Sequence, residues 1–437
     1  MAKGILYFEN EVTHLENYEA LPSIVETDVS PFCFRCGNNQ AERFANLPSN
    51  ERYCRNCLLM KRVSSLQKFY YQKPAETERI YFEAPLMWEG VLSFAQQRGA
   101  DAILNAIQEQ KSLLLWSVAG SGKTEMMFQG IEAGLEKGLR ICLASPRVDV
   151  CIELAPRLQD VFPDVPQVCL YGDSEAVFNN ETFVIATTHQ LMRFYRYFDL
   201  IFIDEVDAFP YAKDPCLEYT VRKAGSEGAI QIFVTATPER KWQQECLIGK
   251  RNYVKIPARY HGFPLPVPHN CWIGDWQKQL NKKRISKKVL TWIMRYAKLK
   301  KPILIFFPKI DVMFEFSEVM KRYGFEQLTT VHSADKLRKE KVQQLRDGAI
   351  QILLTTTILE RGVTFADVQV AVFGSEGSIF TEAALVQIAG RVGRKRDFPA
   401  GEVCFFHFGK TNEMMRAIQH IKLMNKIGWE EGLLGDK

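Results

Sequence analysis

The stretch "LLLWSVAGSGKTEMMFQGI" (113–131) reads as a buried strand, a glycine-rich turn and the first turns of a helix. Such a turn offers successive backbone N–H groups to phosphate oxygens, and the helix N-terminus behind it adds a favourable dipole. The usual pattern is a glycine, four residues, then Gly-Lys-Thr or Gly-Lys-Ser. Here Ser117 fills the first place, followed by Gly120, Ser121, Gly122, Lys123 and Thr124. A serine fits there as long as its backbone does not need a positive φ. The pattern makes Lys123 a point charge for the β and γ phosphates of a nucleotide and Thr124 a hydroxyl ligand for Mg²⁺.

The surrounding chain supports an α/β fold. On either side lie short apolar runs bounded by turn residues and separated by amphipathic stretches: "RICLASP" (140–146), "TFVIATT" (182–188), "LIFIDEV" (200–206) and "IQIFVTAT" (230–237). Runs of this length predict buried strands of a doubly wound parallel sheet. The segment "PARYHGFPLPVPHN" (257–270) holds four prolines and argues against helix or central strand, so a connector is expected over 257–284. Alternation then resumes with "PILIFFP" (302–308), "QILLTTT" (351–357), "VQVAVFG" (368–374) and "GEVCFFHFG" (401–409), which predict a second parallel sheet. Four regions follow: 1–75, a first α/β domain over 76–256, the connector, and a second α/β domain over 285–437.

"LIFIDEVD" (200–207) ends a predicted strand in carboxylates. Asp204 is placed to hold Mg²⁺ directly or through water, and Glu205 to orient and deprotonate an attacking water. In "QIAGRVGR" (387–394), Gln387, Arg391 and Arg394 stand at i, i+4 and i+7, so on a continuous helix all three project from one face. Arginines so presented to a γ-phosphate stabilise transition-state charge.

The ordered series "GSGKT" (120–124), "DEVD" (204–207), "TAT" (235–237), "TTTILERGVTF" (355–365) and "QIAGRVGR" resembles the superfamily 2 DEAD/DEAH-type helicases over roughly 80–410. The resemblance implies two RecA-like domains, ATP in the cleft between them and a nucleic-acid strand across both. It assigns Thr235 and Thr237 to coupling hydrolysis with movement, and Arg361 with Gly362 to a contact between nucleotide and strand. Gln96, in "LSFAQQRGADAI" (92–103), matches the glutamine that reads adenine. Arg147, Thr188, His189, Gln190 and Thr356 fall at the family's strand-contacting places. Thr364 departs from the acidic residue many relatives carry after "RGV", which leaves that contact open.

"CFRC" (33–36) and "CRNC" (54–57) are two C-x2-C knuckles, and four thiolates so spaced fit a closed tetrahedral Zn²⁺ site with a structural role. The ligands are Cys33, Cys36, Cys54 and Cys57. Arg35, Arg52, Arg55, Lys61 and Arg62, interleaved with Phe32, Phe34 and Tyr53, either contact phosphates and bases or only pack around the metal.

The chain has 437 residues, 46% hydrophobic and 24% charged, which predicts two domains and an appendage rather than one core. Its net charge of +5 is compatible with nucleic acid without deciding for it. No run of about 18 uncharged apolar residues is present to span a bilayer. The opening "MAKGILYFENEVTHLEN" lacks a signal peptide's apolar stretch, so a cytoplasmic protein is expected.

A Cys₄ module ahead of this core, with "IDEVDAFPY" (203–211) and "ILERGVTF" (358–365), resembles the ComFA family of late competence proteins. That resemblance implies an ATP-driven motor on single-stranded DNA, held at the inner membrane face by partners. These are a ComFC-like protein, a ComEC-type channel and DprA, with homo-oligomerisation also open. A PriA-like restart helicase and a nucleotide-switched binding module are the alternatives.

Overall fold

The computed structural model describes residues 1–48 and 51–435. The chain forms two compact units. The first comprises Met1–Val91, Gln97–Trp116 and Thr124–Lys255; the second comprises Leu92–Gln96, Ser117–Lys123 and the chain from Ile256 onward.

The first unit is built on a seven-stranded sheet: β1 (Leu113–Ser117), β2 (Ile141–Ser145), β3 (Gln167–Leu170), β4 (Phe183–Thr187), β5 (Phe198–Asp204), β6 (Gly225–Thr235) and β7 (Tyr253–Ile256). The spatial order is β3-β4-β2-β5-β6-β1-β7, and every pair from β3 to β1 is parallel. β1, β2 and β4 are buried along their whole length, as expected when helices cover both faces of a sheet. Helices Phe94–Gln108, Lys123–Glu136 and Val148–Val161 accompany these strands. Gly130 lets the second approach the first closely, since a Cβ there would stand 2.4 Å from Ile103 Cγ2.

The second unit carries six strands: β8 (His269–Trp272), β9 (Ile303–Phe306), β10 (Leu328–Val331), β11 (Ile352–Thr355), β12 (Gln369–Phe373) and β13 (Val403–His407), in the order β8-β13-β12-β9-β11-β10. All its pairs are parallel. Trp276, Trp292, Phe307, Phe316, Phe373 and Phe406 fill one side of this sheet. The segment expected as connector therefore already contains β8 and the helix Trp276–Asn281. Its prolines stop at Pro268, and the strand that follows lies at the sheet edge, where a proline-flanked segment is tolerated.

The N-terminal segment belongs to the first unit. Three antiparallel strands, Tyr7–Phe8, Lys68–Tyr71 and Glu19–Pro22, form one small sheet, and Phe44–Asn46, Arg52–Cys54 and Val63–Ser64 form another. No helix among the described residues is long and apolar enough to cross a membrane.

Candidate nucleotide site and metal centre

β1 ends at Ser117 in extended conformation, and the chain turns through Gly120 (φ +83°) and Gly122 (φ +78°) into the helix that starts at Lys123. The left-handed places are thus the two glycines, which accept them without strain, and the serine at the first position needs no such freedom. Ser117 and Ser121 are buried, and neither hydroxyl has a hydrogen-bond partner. An orphan Ser121 hydroxyl in a turn that opens a helix suits a phosphate ligand, so the residues present fit a nucleotide.

Gln96 is 6% exposed. Its Oε1 accepts from the Ser93 N–H at 2.9 Å while Ser93 Oγ accepts from the Gln96 N–H at 3.4 Å, a reciprocal helix cap. The Gln96 amide N–H₂ takes no part in this cap.

Parallel pairing of β5 with β6 sets Asp204 opposite Val234 and so brings "DEVD" beside "TAT". Glu205 takes φ +57°, a left-handed conformation uncommon for glutamate and concentrated at functional sites, and its N–H donates to Asp204 Oδ1 at 2.9 Å. Thr235 Oγ1 donates to Asp207 Oδ1 at 2.8 Å and Thr237 Oγ1 to Asp207 Oδ2 at 2.6 Å. The Thr237 N–H in turn donates to Thr235 Oγ1 at 3.0 Å. Asp207 is therefore the receiver of both threonines, a role the sequence reading left unassigned although it is the third carboxylate of the motif.

In the second unit the helix Glu382–Ala389 holds Gln387 but stops before Arg391 and Arg394. The expectation of three side chains on one helix face fails because Gly390 ends the helix and Gly393 (φ +70°) turns the chain. Arg391 is buried, and its Nε donates to the Glu360 carbonyl at 2.8 Å, with a further bond to the Val363 carbonyl. Arg394 Nε donates to the Gly390 carbonyl at 3.0 Å. Arg361 is 1% exposed and Gly362 (φ +74°) follows it in the loop that Arg391 holds.

Arg259 was not foreseen. Its guanidinium is buried and donates to the carbonyls of Val392 (2.7 Å), Gly393 (2.6 Å) and Gly390 (3.3 Å). These are carbonyls at and beyond a helix C-terminus, where a cation is favoured. The methylene stem runs beside Gly120, 3.7 Å from where a Cβ would stand, and the Tyr260 N–H donates to the Gly120 carbonyl at 3.2 Å. Burial, with Arg394 adding repulsion, pulls the Arg259 guanidinium below its ordinary range. The only sequence signal was an arginine inside a proline-rich stretch.

Of the strand-contacting candidates, Arg147 is paired bidentately with Asp149 at 3.0 and 2.8 Å. Thr188 is fully buried with an unpartnered Oγ1. His189 precedes the short helical turn Gln190–Arg193, and burial lowers its pKa against a weaker opposing effect of Asp214. Gln190 is buried, and Thr356 is half-buried just beyond β11.

The four cysteine Sγ atoms lie within 4.8 Å of one another and all four residues are fully buried. Cys33 Sγ to Cys57 Sγ is 3.7 Å and Cys36 Sγ to Cys54 Sγ 3.6 Å. Disulfides would need about 2.05 Å. Four sulfurs each about 2.3 Å from a tetrahedral zinc stand about 3.8 Å apart, so the donor set fits Zn²⁺. Arg35 Nε at 3.4 Å from Cys57 Sγ and Asn38 Nδ2 at 3.7 Å from Cys54 Sγ supply outer hydrogen bonds.

Arg35 also donates to the carbonyls of Met60 (2.8 Å), Cys57 (2.9 Å) and Lys61, so it builds the knuckle and is not available to phosphates. Phe32 packs edge-on to Tyr219 and Phe34 packs on Tyr195. The helix Pro215–Ala224 thus receives the metal module, with Tyr219 Oη donating to the Phe34 carbonyl at 2.9 Å. Tyr53 and Arg52 are half-buried, while Arg55, Lys61 and Arg62 stay exposed.

Three family models match in sequence: "Competence protein ComFA N-terminal domain" over 7–71, "Type III restriction enzyme, res subunit" over 90–240, and "Helicase conserved C-terminal domain" over 284–396. The solved structure of Mycobacterium smegmatis helicase Lhr bound to ssDNA and AMP-PNP aligns with TM-score 0.54 and 16% identity, covering 77% of this chain and 50% of that one, a likeness of fold. Two parallel-sheet RecA-like domains with these motifs define a superfamily 2 helicase. The competence protein ComFA of Bacillus subtilis (strain 168) is 44% identical over 90% of this chain and 86% of its own length. That of Streptococcus pneumoniae (strain ATCC BAA-255 / R6) is 40% identical over 97% of both. The chain belongs to the ComFA family.

Proposed function

We propose that the chain is an ATP-driven motor that moves single-stranded DNA during DNA uptake in natural transformation. Membership of a competence family with helicase domains supports a DNA-dependent helicase or translocase. The observation that carries the motor reading is the bonding of Thr235 and Thr237 to Asp207, three residues beyond the metal-binding Asp204. A shift at the nucleotide carboxylates is thereby transmitted to the end of the adjacent strand β6.

In this reading the backbone N–H groups of Gly120, Ser121 and Gly122 hold phosphate oxygens, and Lys123 neutralises them. Thr124 and Asp204 hold Mg²⁺, which when bound offsets charge on the phosphates. Glu205 takes the proton of the attacking water. Gln387, Arg391 and Arg394 stabilise charge on the γ-phosphate in the transition state, with Arg361 and Gly362 coupling the neighbouring loop to movement. For Arg391 to act as an arginine finger it must exchange the Glu360 and Val363 carbonyls for phosphate oxygens. Gln96 reads adenine, and Arg147, Thr188, His189, Gln190 and Thr356 contact the strand. The Cys₄ centre is structural zinc.

Location in the cytoplasm, at the inner membrane face through a ComFC-like protein, a ComEC-type channel or DprA, follows from the same family reading, as does homo-oligomerisation. Translocation is tested by following arrival of the protein at a fluorophore on the end of single-stranded oligonucleotides of increasing length. A lag that grows with length under ATP, and vanishes with a non-hydrolysable analogue, is the expected result. Hydrolysis without any length-dependent lag would reduce the protein to a nucleotide-switched binder.

A further inference from the structure

Between Asp275 and Asp311 the chain has no acidic residue and eleven lysines and arginines. The densest part, "NKKRISKK" (281–288), links the helix Trp276–Asn281 to the helix Lys287–Lys298. Beside it stand two large aromatic residues left in solvent, Trp272 at 58% and Phe408 at 51% exposure.

These residues are ordered, not loose. Trp272 ends β8 and lies in register with His407 at the end of β13, one residue before Phe408. Trp272 Nε1 donates to the Phe408 carbonyl at 3.1 Å, which fixes the indole. The ring rests over Gly274, where a Cβ would stand 3.7 Å from Trp272 Cη2. Lys288 Nζ donates to the Trp272 carbonyl at 2.9 Å and lies 5.8 Å from the indole centroid. Lys410 is exposed two residues beyond Phe408. The acids nearby are committed: Glu376 accepts from Trp276 Nε1 at 2.6 Å and from the Phe408 N–H at 3.3 Å, and Asp275 caps the helix behind it.

Because the sheet is parallel, the ends of β8, β13, β12, β9 and β11 lie along one rim. That rim carries Trp272, Phe408, Lys309 and Thr356 in spatial sequence. Four strand steps at about 4.8 Å make it roughly 19 Å from Trp272 to Thr356. Exposed rings with lysines between them are what unpaired bases and their phosphates bind: every base has a face to stack, and each phosphate seeks a cation.

We propose that Trp272 and Phe408, with Lys288 and Lys410, form a base-stacking and phosphate-binding subsite for single-stranded DNA at the rim of the second sheet. The inference rests on the reading of the chain as a single-strand motor and extends its track beyond Thr356. Two isolated rings set among cations favour a nucleic-acid strand over a bilayer, which would call for a contiguous apolar patch.

The test is fluorescence anisotropy of labelled oligo(dT) with the full-length chain and its Trp272→Ala, Phe408→Ala and Lys288→Gln variants, with thermal melts to confirm folding. Loss of a stacked base weakens binding roughly 5- to 150-fold, and Trp272→Phe should recover most of it. Lys288→Gln should lower the slope of log K against log salt by about 0.7, the value for one single-strand phosphate. If wild type binds oligo(dT) and the alanine variants bind equally well, the subsite is overturned while the motor reading stands. If wild type binds no oligo(dT) and its ATPase ignores it, both fall. A variant that loses co-sedimentation with phosphatidylglycerol vesicles, with oligonucleotide affinity unchanged, would make the rim a membrane contact and overturn the proposal.

Discussion

Thr237 Oγ1 donates a 2.6 Å hydrogen bond to Asp207 Oδ2, while Thr235 serves the other oxygen of the same carboxylate. One acidic side chain thus clamps the ends of two neighbouring strands, β5 and β6. A neutral hydroxyl bonded to a carboxylate contributes about 1.5–3 kcal/mol, enough to transmit a displacement of one strand end to the other.

Thr237→Ala should leave ATP binding within about twofold but lower the distance moved per ATP hydrolysed. Comparing hydrolysis with end-arrival kinetics on the same oligonucleotide checks this. A fall in both in equal proportion would place Thr237 in the chemistry and not in the coupling.

Arg259→Lys should destabilise the second unit by roughly 2–4 kcal/mol. An ammonium cannot serve three spread carbonyls, and those left buried without donors cost about 1–3 kcal/mol each. Differential scanning calorimetry would show the loss, and the turn carrying Arg391 and Arg394 would become accessible to hydrogen exchange. Unchanged melting and exchange would refute the staple.

Paired Cys33→Ser and Cys36→Ser substitutions should take bound zinc from about one equivalent per chain to nearly none by elemental analysis. The same change should loosen the helix Pro215–Ala224, because Phe32 and Phe34 reach Tyr219 and Tyr195 from the knuckle. Undiminished zinc would contradict the Cys₄ centre.

Asp199 accepts from Arg79 at 2.8 Å, from the Arg140 N–H at 3.0 Å and from Ser226 Oγ at 2.9 Å. Burial pushes its carboxyl up, but Arg79 and Arg140 together outweigh that and hold it below the usual carboxylate range. A depressed folded pKa gives stability that is present above the unfolded value near 3.9 and lost as pH falls through the folded one. Asp199→Asn should therefore cost about 3 kcal/mol at pH 7, and the gap from wild type should narrow only below about pH 4. Denaturant titrations at several pH values test it; a gap already closing at pH 6 would assign the effect elsewhere.

The buried strands were legible because interior parallel strands are apolar on both faces, and all nine apolar runs identified correspond to them. The four strands not foreseen, β3, β7, β8 and β10, are the edges of the two sheets. Edge strands bury less: β8 and β10 are mostly intermediate or exposed, so their sequences carry no apolar run to recognise. Motif order put "DEVD" ahead of "TAT" in the chain, but only strand pairing shows that the two lie side by side and that Asp207 joins the threonines. Spacing misled at Arg391 and Arg394, where glycine ends the helix. At Arg35 the sequence left phosphate contact and packing around the metal both open, and its place between two cysteines folds it under the knuckle.

The most direct measurement is steady-state ATP hydrolysis by the purified full chain, alone and with single-stranded DNA, duplex DNA or RNA, using Glu205→Gln as the blank. The account predicts strong stimulation by single-stranded DNA, little by duplex or RNA, and no turnover above background in the Glu205→Gln protein although it still binds ATP. Equal turnover by Glu205→Gln, or stimulation by RNA or forked duplex in place of single strands, would contradict it.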